Sequence, residues 1–75
     1  MFKSEIELEI IKRIVEIRGK KITQRNIADY LKVSSGYIGQ VESKNSPSMF
    51  TFDQLNELAK FLKCSLRDFF PENPV

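Results

Sequence analysis

Histidine is absent from these 75 residues and cysteine occurs once, at Cys64. No disulfide can form within them, and metal sites built on histidine or paired cysteines are excluded. The lone thiol fits a reducing compartment. Cys64 closes an apolar helical stripe, which favours a buried structural thiol over a nucleophile. With no histidine and that single cysteine, the usual general base and nucleophile are missing. The chain is therefore read as a non-enzyme, with no catalytic residue, cofactor, metal or small-molecule ligand expected. Long apolar runs are also missing. The N-terminal stretch MFKSEIELEII alternates acids with apolar residues and has no basic n-region, apolar h-region or small-residue cleavage site. It does not read as a signal peptide, so a cytoplasmic location with no membrane partner is expected. No repeat, low-complexity segment or strand pattern is evident.

What remains is the composition of one folded domain over residues 1–75, 41% hydrophobic and 29% charged. A globule this small buries only about 60% of its unfolded surface, so a second copy would help to stabilise it. The net charge of +2 matters less than its distribution. Arg18, Lys20, Lys21 and Arg25 fall within eight residues with no acid between them, while Glu5, Glu7 and Glu9 gather at the other end. Such a basic cluster suits phosphate, although each lysine taken alone reads equally well as a solubility charge.

Residues 23–44 carry the most specific pattern. Thr23 is a good N-cap for a short helix with Ile27, Ala28 and Leu31 at helical spacing, and Lys32-Val33 interrupts it. Ser34 caps a second short helix, from about Ser35 to Ser43, with Ile38, Val41 and part of Tyr37 facing inward. Ser35, Gly36, Gly39, Gln40 and Ser43 take the other face. Two short helices joined by so brief a turn make a helix-turn-helix. The outer face is uncharged until Lys44 and holds two glycines, each costing roughly 1 kcal/mol in a helix interior. Small residues and one amide suit a helix in the DNA major groove, where Gln can pair with adenine N6 and N7. An ordinary helical hairpin with a weak outer face is the alternative.

The run T-Q-x-x-I-A-x-x-L-x-V-S-x-x-Y-I-x-x-V-E, Thr23 to Glu42, resembles the XRE-type (phage repressor and Cro-like) helix-turn-helix transcriptional regulators. The similarity continues through Pro47-Ser48, Leu55, Leu58-Ala59, Leu62 and Ser65-Leu66. The resemblance implies base contacts from Ser35, Gly36, Gln40, Tyr37 and Ser43. It implies phosphate contacts from Gln24, Lys44 and Asn45, to which Lys21 and Arg25 are added on electrostatic grounds. It also implies that Gln24 buttresses the recognition helix and that Glu42 pairs with an arginine of the first helix, either Arg13 or Arg18. Tyr37 is open between anchoring the core and reaching a phosphate. Gly36 has no side chain to read with, so DNA shape is expected to carry part of the specificity.

Around this device the sequence predicts scaffold. Ser4 and Glu7 form a capping box for a first helix ending at Arg18-Gly19, with Ile6, Ile10, Ile14 and Ile17 as its stripe and Ile11 and Val15 widening it. Thr51 and Gln54 open a fourth helix bearing Phe52, Leu55, Leu58, Ala59 and Leu62. Ser65 and Asp68 start a fifth through Leu66, Phe69 and Phe70, stopped by Pro71. Phe61, Phe69 and Phe70 either seal the monomer or close a two-fold interface. The expectation is an all-α, compact, five-helix, repressor-like DNA-binding domain, with the helix-turn-helix at helices 2 and 3. It is expected to regulate transcription as a homodimer on a palindromic operator, with double-stranded DNA as its partner. An antitoxin- or adaptor-type module that binds another protein is the alternative.

Overall fold

A computed structural model describes residues 2–75. Among these residues it contains four α-helices and no strand: α1 (Glu5–Arg18), α2 (Gln24–Leu31), α3 (Ser35–Glu42) and α4 (Phe52–Leu62). The expected fifth helix is instead a single 3-10 turn, Leu66–Phe69. Phe70 N–H bonds back three residues to the Arg67 carbonyl at 3.0 Å, and Phe70 itself is extended at φ −113°, ψ 143°. Pro71 explains both facts, since proline pushes the preceding residue out of the helical region and has no N–H with which to continue a ladder.

Local chemistry starts and stops each helix. Glu7 N–H donates to Ser4 Oγ at 3.2 Å while Ser4 N–H donates to Glu7 Oε1 at 2.9 Å, the reciprocal box that the spacing predicts. Gly19 ends α1 at φ 62°, ψ −155°, a conformation in which a Cβ would be strained. Thr51 and Gln54 repeat the box at α4, and at the 3-10 turn the Asp68 carboxylate accepts from Ser65 N–H at 3.0 Å. Thr23 also belongs to a box, with Asn26 rather than an acid or Gln as the returning side chain.

The buried stripe of α1 is narrower than its sequence implies. Ile10, Ile11 and Ile14 are buried, whereas Ile6, Val15 and Ile17 stay 37–38% exposed. At 1.5 Å per residue the 14-residue helix is about 21 Å long. It outruns the eight-residue α3 and the four-residue 3-10 turn against which it packs.

A repeat that the sequence conceals becomes visible at the helix ends. Ile27–Ser34 (IADYLKVS) and Leu58–Ser65 (LAKFLKCS) are identical at four of eight positions, and both fold into the same turn. Lys32 (φ 60°, ψ 44°) and Lys63 (φ 57°, ψ 45°) are left-handed caps. Val33 N–H reaches Ala28 O at 3.0 Å, and Cys64 N–H reaches Ala59 O at 3.1 Å. These bonds satisfy the last helical carbonyls, at a cost of roughly 1–2 kcal/mol for a left-handed residue that carries a Cβ. Tyr30 and Phe61 hold matching places in the two copies and stack on each other, ring centroids 4.5 Å apart. Ile14, Ile27, Ile38, Val41, Leu58 and Phe69 are the fully buried centre. Phe69 therefore seals the monomer, Phe61 and Phe70 are half-buried, and Phe52 is left 83% exposed.

Candidate nucleic-acid interface

The α2–turn–α3 pair is held from inside by Ile27, Ala28, Ile38 and Val41, all buried. Ser34 Oγ accepts Tyr37 N–H at 3.0 Å and starts α3. The opposite side of α3 is open: Ser35, Gly36 and Gln40 are exposed. Packing does not demand glycine there. A Cβ on Gly36 would come no nearer than 3.9 Å to Ser34 Oγ, and one on Gly39 would sit 3.5 Å from Gln24 Oε1. Both are ordinary van der Waals distances, so the lost helix propensity is not recovered within the monomer.

Glu42, the last residue of α3, anchors the helix to the two preceding helices. Arg18 Nε and Nη2 each donate to one of its carboxylate oxygens at 2.8 Å, and Gln24 Nε2 donates to Oε1 at 2.9 Å. The side chains of Arg18 and Glu42 are 15% and 7% exposed. The carboxylate hydrogen bonds, acting against desolvation, raise the guanidinium pKa above its ordinary value. Arg18 Nη1 is bound as well, to the Gly19 and Ile22 carbonyls, so this arginine is a strut. Of the two arginines allowed by the sequence, Arg18 makes the pair, while Arg13 makes a half-exposed contact with Glu9 at 3.3 Å.

A second anchor has no local sequence signal. Lys3 is only 4% exposed, and its ammonium lies 2.6 Å from the carbonyls of Ser43 and Ser46 and 3.4 Å from that of Gln40. Two of these carbonyls also accept backbone N–H groups, Gln40 O from Ser43 at 3.1 Å and Ser43 O from Ser46 at 3.4 Å, and a cation just past the C-terminus of α3 suits the helix dipole. Burial lowers the Lys3 pKa below its ordinary value, with Glu7 opposing.

The remaining site residues divide. Tyr37 turns inward: its hydroxyl lies 2.8 Å from Met49 O and 3.0 Å from Gln54 Oε1, and its ring meets Phe50 edge-on at 6.4 Å. Ser43 has left the helix at φ −84°, ψ 129°, so α3 is one residue shorter than the sequence implies, and its hydroxyl accepts Asn45 N–H at 3.2 Å. Gln24 is half-buried behind α3. Lys21, Arg25, Lys44 and Asn45 are exposed, as is Lys20. With Arg18 committed to Glu42, the basic shoulder consists of Lys20, Lys21 and Arg25, beside an α2 N-terminus whose first turn holds no acid. That setting favours anions. Cys64 is half-buried, and burial, with Asp68 adding to it, raises its thiol pKa above the ordinary value. No group of metal-ligating side chains occurs among the described residues, nor is any helix among them long and apolar enough to cross a membrane.

A short capped helix with an open, small-residue outer face, fixed across a tight turn to a partner helix, is a helix-turn-helix. Residues 11–69 match the family model described as helix-turn-helix. The chain belongs to that family in its XRE-type branch, the DNA-binding transcription regulators. No curated protein and no solved structure gave a match.

Proposed function

We propose that this single domain is a sequence-specific double-stranded DNA-binding transcription regulator that places α3 in the major groove and works as a homodimer on a palindromic operator in the cytoplasm. The observation that carries the reading is the α3 outer face: exposed, uncharged, bare of side chains at Gly36, and held rigid by the Glu42 and Lys3 anchors. Ser35, Gly36 and Gln40 form the base-reading centre, with Ser43 at its edge and Tyr37 acting from behind. Lys21, Arg25, Lys44 and Asn45 take phosphates, joined by Gln24 where α2 begins.

Eight residues make a helix of about 12 Å, enough for about four base pairs. So short a word recurs too often among roughly a million competing sites to mark one locus, so two copies reading two half-sites are needed. The second copy is assigned to the apolar groove of Ile6, Ile10, Met49, Phe52 and Phe70, where Phe52 is 83% exposed.

The same groove is what favours a second reading, an adaptor or antitoxin-type module that binds a different protein. Selection from random duplexes separates the two. The regulator should enrich a palindromic motif with half-sites about 10 base pairs apart. No enrichment, together with a stoichiometric protein partner, would assign the chain to the second reading.

A further inference from the structure

We propose that Ser46 fixes the orientation of the Gln40 side-chain amide, so that α3 offers an N–H donor to the groove and selects guanine rather than adenine at the base Gln40 reads. This rests on the reading of α3 as the DNA-contacting helix and specifies what that helix recognises.

A chain of hydrogen bonds joins Lys3, Ser46 and Gln40. Ser46 is 7% exposed, and its carbonyl is held by the Lys3 ammonium at 2.6 Å. Its hydroxyl accepts Ser48 N–H at 3.2 Å. A backbone N–H can only donate, so one lone pair of Ser46 Oγ is occupied and the hydroxyl proton is free to point elsewhere. It points to Gln40 Oε1, 2.9 Å away. The amide is planar, so an oxygen turned toward Ser46 leaves Nε2 and its hydrogens turned away from the loop, on an exposed residue of the open face.

Pairing with adenine requires the amide oxygen to accept from N6 while the amide nitrogen donates to N7. Guanine instead presents two acceptors, N7 and O6. With Oε1 turned to the Ser46 hydroxyl and Nε2 turned outward, Gln40 matches guanine; presenting the oxygen to the adenine amino group would turn the amide and break the Ser46 bond. Ser46 touches no base in this scheme. It is a positioning residue, and its effect should appear in a single column of the recognised sequence.

The test is selection from random duplexes with wild type, Gln40→Ala and Ser46→Ala, run in parallel at one salt concentration. Gln40 is exposed, so its truncation leaves the core intact, and the column whose preference flattens in Gln40→Ala is the one it reads. In wild type that column should favour guanine over adenine by about tenfold or more, the discrimination of one well-placed pair. Ser46→Ala releases the amide oxygen, and the preference should shrink to near parity or invert toward adenine while the other columns keep theirs. Preferences that fall in every column together would mean that Ser46 only holds the loop, and would overturn the proposal. Adenine in the wild-type column overturns the proposal without any reference to Ser46→Ala, as does an unchanged guanine preference in a folded Ser46→Ala. A wild type that enriches no motif overturns this proposal and the DNA-reading role with it, a result distinct from either of the others.

Discussion

The turn after α2 and the turn after α4 have the same construction, yet one leads into an eight-residue helix and the other into a four-residue 3-10 turn. Each has a left-handed lysine cap and a serine N-cap. Each also has a fully buried side chain four residues past that serine, Ile38 in the first copy and Phe69 in the second. The two exits already differ in their first turn, where Ile38 N–H bonds back four residues to Ser34 O and Asp68 N–H only three to Ser65 O, and they part fully two residues past the buried side chain. Where the first copy has Gln40 the second has Pro71, which cannot donate to a helical ladder. The first copy also ends on Glu42, tied to Arg18 and Gln24. The turn therefore sets only the direction in which the chain leaves. Whether an element long enough to enter a groove follows depends on the residues beyond it and on tertiary anchors.

The comparison can be tested first at its buried centre. Ile38→Ala and Phe69→Ala should each cost about 3–4 kcal/mol, a large share of the roughly 4–11 kcal/mol expected for a domain of this length, measured as shifts in urea midpoint. A loss below about 1 kcal/mol for Phe69→Ala would show that the second copy is an appendage. The anchor comes next. Glu42→Ala leaves a largely buried guanidinium without its carboxylate and should cost about 3 kcal/mol. Asp68→Ala removes only a cap contact and should cost about 1 kcal/mol. Similar losses in thermal melts of the two variants would remove the proposed asymmetry. The smallest effect concerns the shared caps. Lys32→Gly and Lys63→Gly each relieve left-handed strain and should raise stability by about 0.5–1 kcal/mol. A gain at Lys63 with a loss at Lys32 would break the equivalence of the turns.

Features set by neighbours in sequence were legible before the structure. Ser4 with Glu7, Thr51 with Gln54, Gly19 as a stop and the Ile27, Ala28, Ile38 and Val41 core all follow from spacing alone. The partner of Glu42 was legible only as a choice, because Gly19–Ile22 leaves the register between α1 and α3 open; Arg18 is the arginine near enough to bond Glu42, Gly19 and Ile22 together. Lys3 was not legible at all. Its acceptors lie 37 to 43 residues away, and a lysine just before a helix cap usually stays in solvent. Ser46 escaped although Gln40 is only six residues away, because nothing in the polar run of residues 43–48 distinguishes the serine that turns inward. The fifth helix was over-read because the apolar spacing of Leu66, Phe69 and Phe70 outweighed Pro71. The repeated turn was hidden because its flanks diverge, with Ser35-Gly36 in one copy and Leu66-Arg67 in the other.

The α3 outer face forgoes helix propensity at two glycines that packing does not require, and close approach of DNA supplies the reason. The double variant Gly36→Ala/Gly39→Ala, measured for both thermal unfolding and affinity toward the selected duplex, tests that directly. Stability should rise by about 1–2 kcal/mol while affinity falls at least tenfold. A variant that is more stable and binds the duplex as tightly as wild type would contradict the assignment of this face to the groove.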